Sequence, residues 1–348
     1  MNRQISVLAL GLVATAVIAT PIAAQRGGGQ DRPSRQCMRE IVNLCGRNRE
    51  EIPSCLQQKG DRLSDKCQAE MRERMGSRKE QNQAQANQTF RPAVRPTSIV
   101  AYGNHPRQQV DVYEPKGAVD ELPLVLFVHG GGWSAGDRER VQSKPAHFGG
   151  QEVYFASAGY RLLPGSPVEE QAKDVGAAVQ ALVAQAGSLG FDADRIALMG
   201  HSAGAHLAAL VGTDPQYAGE AFDAIKGVIL LDGAAYDIAQ NIEDAPFSEK
   251  RVYEDAFGLE IERQKALSPV TYIGGPDAPN WLALYVEGRE IAKDQAELLV
   301  DGLSAAGSSA RAVSIPETDH GLMNREIGTE QGQVQTEAVD AFLAEIFG

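Results

Sequence analysis

After Cys67 this chain of 348 residues contains no further cysteine. The four cysteines it does have, Cys37, Cys45, Cys55 and Cys67, are never two to four residues apart, and no histidine lies among them. The usual zinc signature is therefore missing, and no metal site is expected. Neither Gly-x-Gly-x-x-Gly nor a glycine loop closed by Gly-Lys-Ser/Thr occurs, so a phosphate cradle of either kind is excluded. Basic charge is scarce: 33 Lys and Arg face 46 Asp and Glu, a net of -13. A general nucleic-acid binder needs the opposite balance to replace phosphate counterions. Beyond the first 24 residues no apolar run is long enough to span a bilayer. With 43% apolar and 23% charged residues, 36 Gly and 17 Pro, the chain is not collagen-like, coiled-coil or wholly disordered.

The charge that is present is segregated. Residues 25–97 carry 15 Lys and Arg against 9 Asp and Glu, while residues 98–348 carry 17 against 37. Arg3 is followed by an uncharged stretch with an apolar heart from Ile5 to Ile18 and the small-residue end Ile22-Ala23-Ala24. Positive start, apolar middle and small-residue end make a secretory signal over residues 1–24, so the mature protein is expected to be exported, periplasmic or secreted. In such a compartment an even, clustered set of cysteines reads as two disulfides. Of three possible pairings, the nested one, Cys37–Cys67 and Cys45–Cys55, would staple an antiparallel helical hairpin. Ser64, three residues before Cys67, suits a helix cap. The module covers residues 25–76. Residues 77–97, rich in Gln and Asn, read as a linker. The pattern around these cysteines resembles the cysteine-rich repeat of the Golgi apparatus protein family over about residues 35–75. That resemblance implies a binding or spacer module, and the basic excess of residues 25–97 suits an acidic surface or partner as its counterpart.

From Ser98 apolar runs alternate with helical spacing. Strands are read at 124–128, 152–158, 195–199, 227–231, 281–286 and 312–315. Helices are read around 175–186, 203–211, 295–305 and 334–346. This is an α/β pattern: a mostly parallel sheet covered on both faces, preceded by the small helical disulfide module. Such sheets put their sites at the carboxyl ends of strands.

Three segments at such ends fit acyl transfer. Gly200-His201-Ser202-Ala203-Gly204 stands between a strand and a helix, where small neighbours permit a sharp turn that lifts the Ser202 hydroxyl above the sheet. His129-Gly130-Gly131-Gly132-Trp133 follows the strand 124–128; the N–H groups of Gly131, Gly132 and Ala203 are expected to bind an oxyanion. Asp319-His320-Gly321 follows the last strand, and His320 is the expected base for Ser202. His129 is read as an organiser of the glycine loop, and His201 and His206 as packing residues. The acid is sought after the strand 281–286, where Glu287, Glu290 and Asp294 compete and Glu290 is favoured. Trp133, Tyr236 and Trp281 are candidate walls of the substrate pocket, and the stretch 234–279 a candidate lid.

Residues 98–348 resemble α/β-hydrolases of the esterase/lipase type with a His-Gly-Gly-Gly loop, including feruloyl and acetyl xylan esterases and kynurenine formamidases. The likeness is carried by the three segments above, by Val110-Asp111-Val112-Tyr113-Glu114-Pro115, by Tyr160-Arg161-Leu162-Leu163-Pro164 and by the run Ser202 to Leu207. It implies a serine hydrolase that cleaves carboxylic esters through an acyl-enzyme, without a cofactor. The rival readings are an amide hydrolase and a non-catalytic binding protein on the same scaffold. One departure stands out: Ile291 occupies a place where such enzymes often put Asp.

Overall fold

The computed structural model describes residues 33–46, 52–71, 94–118 and 121–348. The expected leader and residues 77–93 of the expected linker lie outside the described residues.

The first described part is the cysteine module. Helix α1 (Arg35–Cys45) begins at Ser34, whose hydroxyl accepts from the Cys37 N–H. Helix α2 (Ile52–Lys59) runs into a 3-10 turn, Gly60–Arg62, and α3 (65–71) follows. Ser64 caps α3 as expected, accepting from the Cys67 N–H at 3.3 Å. The disulfides are Cys37–Cys67 and Cys45–Cys55, the nested pairing. Among the described residues, Cys37, Ile41, Leu63 and Cys67 form its buried apolar centre, with Leu44, Ile52, Leu56 and Met71 packed partly against them. So small a core leaves much of the stability to the crosslinks.

The second part is an eight-stranded sheet. Its strands are β1 (Ser98–Ala101), β2 (Gln109–Tyr113), β3 (Leu122–Val128), β4 (Tyr154–Ala158), β5 (Phe191–His201), β6 (Ile225–Leu231), β7 (Asn280–Val286) and β8 (Ser309–Ile315). The order is β1-β2-β4-β3-β5-β6-β7-β8. Only β1–β2 and β2–β4 pair antiparallel; every pairing from β4 through β3 to β8 is parallel. This is the α/β-hydrolase fold.

Side chains alternate across a strand, so a strand buried on both sides must be apolar throughout. In β3, Leu124, Leu126 and Val128 face one core and Val125 and Phe127 the other. The first core is closed by α5 (Val168–Leu189) and α6 (Ala203–Thr213), through Val175, Val179, Leu182 and Leu207. The second is closed by α4 (Lys144–Gly150) and α12 (Gln333–Phe347), through Phe148, Phe342 and Leu343. Between β6 and β7 the chain forms α7 (Ile238–Asp244), α8 (Phe247–Phe257) and α9 (Ile261–Leu267). Helix α10 (Glu290–Ala306) follows β7, and α11 (Leu322–Arg325) follows β8. Helix α10 begins five residues earlier than the apolar spacing alone suggests, and this decides the fate of Glu290.

Candidate active site

The carboxyl ends of β3, β5, β6 and β8 meet at one cavity of about 230 Å3, lined by residues that include Gly132, Trp133, Ser202, Ala203, Asp232 and His320. Ser202 joins β5 to α6 with φ 56° and ψ -122°, a backbone shape that a non-glycine residue adopts only at a cost. Its N–H donates to Leu231 O at 3.1 Å and its carbonyl accepts from Ala205 at 2.9 Å. The turn closes because Gly204 has no side chain: a Cβ there would lie 2.1 Å from Val128 O.

Ser202 Oγ lies 3.0 Å from His320 Nε2. The other ring nitrogen, Nδ1, lies 2.6 Å from Asp232 Oδ2. Asp232 follows β6 with φ 47° and is fixed from three sides. Its N–H donates to Leu284 O at 2.7 Å, its Oδ1 accepts from the Val286 N–H at 3.0 Å, and its Oδ2 also accepts from Arg289. Burial opposes its charge, but the hydrogen bond with His320 and the Arg289 guanidinium outweigh burial and hold the carboxyl below its ordinary range. Hydroxyl, imidazole and ionised carboxylate thus stand in series, an arrangement that can draw the proton from Ser202 Oγ and stabilise the resulting imidazolium.

Glu290, the favoured acid, does not meet His320. It opens α10, its side chain is 72% exposed, and its carboxylate lies 3.8 Å from Lys293 Nζ one turn on. Glu287 and Asp294 are exposed as well, and Asp294 lies inside α10 rather than at its start. The residue of this segment that reaches the site is Arg289. Its Nη1 pairs with Asp232 and lies 3.1 Å from His320 Nδ1, and its Nη2 lies 3.4 Å from Glu249 Oε2. Asp232 carried a usable signal, being an acid directly after a strand between Ser202 and His320 in chain order.

Gly132 and Ala203 border the cavity. Ala203 opens α6, where the first N–H groups of a helix have no acceptor in the helix itself. Gly131, with φ 135°, is not among the residues that line the cavity; a Cβ on it would lie 2.2 Å from Ala135 O. Trp133 is a wall, held edge-on by His206, Tyr253 and Phe257. Tyr236 and Trp281 are not walls. Both are fully buried in the core, and the Trp281 Nε1–H donates to Ala278 O at 2.7 Å. The stretch 234–279 does supply a wall, through Ala234 and through Glu249, Val252 and Tyr253 of α8.

The other histidines near the site are spent on structure. His129 stacks on Tyr160 at 4.3 Å, and the Tyr160 hydroxyl donates to His129 O at 2.7 Å. His201 Nε2 lies 2.7 Å from His320 O, and His206 Nε2 lies 2.9 Å from Leu267 O. Burial pushes His129 and His206 down to about 4 and His201 down to about 3, so all three stay neutral near pH 7. The His320 side chain is 41% exposed, open to the cavity.

A model of the BD-FAE family matches residues 110–303. The chain belongs to the BD-FAE family. This BD-FAE chain is 29% identical over 228 residues to carboxylesterase NlhH of Mycobacterium tuberculosis, covering 62% of the chain and 71% of that protein. It is 37% identical over 120 residues to a probable isoprenylcysteine alpha-carbonyl methylesterase, ICMEL1, of Arabidopsis thaliana; the match covers 34% of this chain and only 25% of the relative's length. With the kynurenine formamidase of Danio rerio it shares 26% identity, over 64% of the chain and 73% of the relative. Among solved structures, EstE1, a carboxylesterase cloned from a metagenomic library, superposes with a TM-score of 0.61 at 25% identity, covering 80% of this chain and 96% of that one. The apo form of Thermogutta terrifontis esterase 2 gives a TM-score of 0.61 at 22% identity, covering 74% and 96%, and bears on the fold alone.

Proposed function

We propose that the protein is an exported serine esterase that cleaves short carboxylic esters through an acyl-enzyme. The observation that carries this reading is the series Ser202 Oγ, His320 Nε2 and Nδ1, and Asp232 Oδ2, joined at 3.0 and 2.6 Å on the floor of one cavity. Ser202 attacks the ester carbonyl as His320 Nε2 takes its proton, and Asp232 steadies the imidazolium. The N–H groups of Ala203 and Gly132 receive the oxyanion, with Gly131 shaping the loop behind them. His320 then returns the proton to the departing alcohol. Water, deprotonated by the same nitrogen, releases the acid and restores Ser202. A cavity of about 230 Å3 suits a short acyl group. The leader-like residues 1–24 support export, as do the two disulfides, which form and persist in oxidising compartments.

The test is a panel of p-nitrophenyl esters of increasing acyl length beside the matching anilides, with Ser202→Ala as control. Hydrolysis of the short esters that Ser202→Ala loses is the expected result. Preference for the anilides would favour an amide hydrolase, the activity named for the formamidase relative. No turnover of either, with no labelling of Ser202 by a phosphonate, would leave a binding protein on a hydrolase scaffold.

A further inference from the structure

Helix α8 stands between two bodies. At 3.6 residues per turn, Glu249, Val252 and Tyr253 share one face, and that face lines the cavity. Phe247 projects about half a turn away from them, on the opposite face of the same helix. There α2 of the cysteine module packs against α8. Gly60, which follows α2 directly and opens the 3-10 turn, is buried against the Phe247 ring: a Cβ on Gly60 would lie 2.7 Å from Cδ1 and 3.0 Å from Cγ. The backbone of Gly60 is not in the left-handed region, so what a side chain there meets is the ring and not backbone strain.

We propose that the disulfide module is an outer wall of the active site: through the Gly60–Phe247 contact it positions α8 and so sets which esters fit. The module can bear that load because Cys55 lies in α2 and is bonded to Cys45, while Cys37–Cys67 ties α1 to α3. Without those bonds its small core would hold α2 loosely. On the cavity side α8 carries Tyr253 and Phe257 against Trp133 at 5.9 and 4.7 Å and brings Glu249 to Arg289. A shift of α8 therefore moves the cavity wall first: Ser202 and Asp232 are held at the ends of β5 and β6 and His320 in the turn after β8, and α8 reaches them through the long Glu249–Arg289 pair at 3.4 Å. Phe247 and Gly60 are positioning residues in this scheme, and touch no reacting atom.

The proposal rests on the esterase reading, and its test separates the two. In the full chain, Gly60→Val wedges against Phe247. We expect KM for a bulky aryl ester to rise about fivefold or more, with kcat on the acetyl ester within about twofold of the parent. Phe247→Ala added to Gly60→Val makes room for the wedge and is expected to restore the bulky-ester KM. Reduction of the parent's disulfides, verified by thiol titration, is expected to shift the same KM. A fluorescence arm needs no turnover: in a Trp281→Phe background, Trp133 is the remaining tryptophan and its emission should move with Gly60→Val and with reduction. Unchanged ester selectivity and unchanged Trp133 emission, in folded Gly60→Val and in the reduced parent alike, would overturn the proposal. Absent ester hydrolysis with shifted Trp133 emission would overturn the esterase reading and leave the wall in place.

Discussion

Asp232 Oδ2 and His320 Nδ1 lie 2.6 Å apart across 88 residues of sequence, one at the end of β6 and the other after β8. No carboxylate from the loop after β7 shares that nitrogen; the group that arrives from there is the Arg289 guanidinium. Because Asp232 orients the ring and stabilises its charge, Asp232→Asn should lower kcat by about 10³- to 10⁴-fold with KM little changed. Glu290→Gln should leave kcat within about twofold, since its side chain is exposed and joined only to Lys293 by a long, solvated ion pair. Steady-state kinetics of the two variants on one short ester checks both. A large loss in Glu290→Gln with little loss in Asp232→Asn would return the acid to the loop after β7.

This pair also marks the border of what the residues disclosed. The Ser64 cap, the alternation of strands and helices and the segments around Ser202 and His320 all follow from local pattern, because each depends on neighbours in sequence or on a short turn, and the nested disulfides are the one of three pairings that staples a helical hairpin. The acid does not. Several strand ends converge on one cavity, and a carboxylate from any of them reaches the imidazole if its loop bends correctly. Asp232 bends inward with φ 47°, whereas Glu290 is turned outward by a helix that begins at Glu290 itself. Trp281 fails as a wall for a similar reason: alternation along β7 sends it into the core beneath α6, close to Gly212.

The strained turn at Ser202 gives a second expectation. With φ 56° and ψ -122°, a side chain at this position costs about 1–3 kcal/mol that glycine avoids, less the extra entropy glycine loses on folding. Ser202→Gly and Ser202→Ala should both be inactive, with Ser202→Gly the more stable by about 1 kcal/mol. Urea unfolding of the two inactive proteins measures the difference. Equal stability would mean that the turn is relaxed in solution.

The acid limb of the pH profile follows from the state of Asp232. Its carboxyl is held below the ordinary carboxylate range, so it stays ionised while imidazoles take up protons at higher pH. The fall of kcat/KM on acidification should therefore have a slope of one, a single proton on the base. The three buried histidines, pushed down to about 4, 3 and 4, should not contribute above pH 5. A slope of two in the profile between pH 5 and 7 would show a second group titrating with the base.

Lys144 supplies a stability test away from the chemistry. Its ammonium is buried, donates to Asn324 O at 2.6 Å and lies 4.8 Å above the Phe127 ring. Burial pushes it down to about 7. A lysine in the unfolded chain titrates near ~10.4, so between about pH 7 and 10 the unfolded state binds more protons than the folded one. Stability contributed by this site must then rise with pH across that window, and the full cost of burying the charge is felt below it. Lys144→Met removes the titration. The stability of the parent relative to Lys144→Met should therefore increase from pH 7 to pH 9.5, whichever protein is the more stable at pH 7. Urea unfolding of both proteins at the two pH values reads this change, and parallel pH dependence would show that Lys144 keeps an ordinary ammonium in the folded protein.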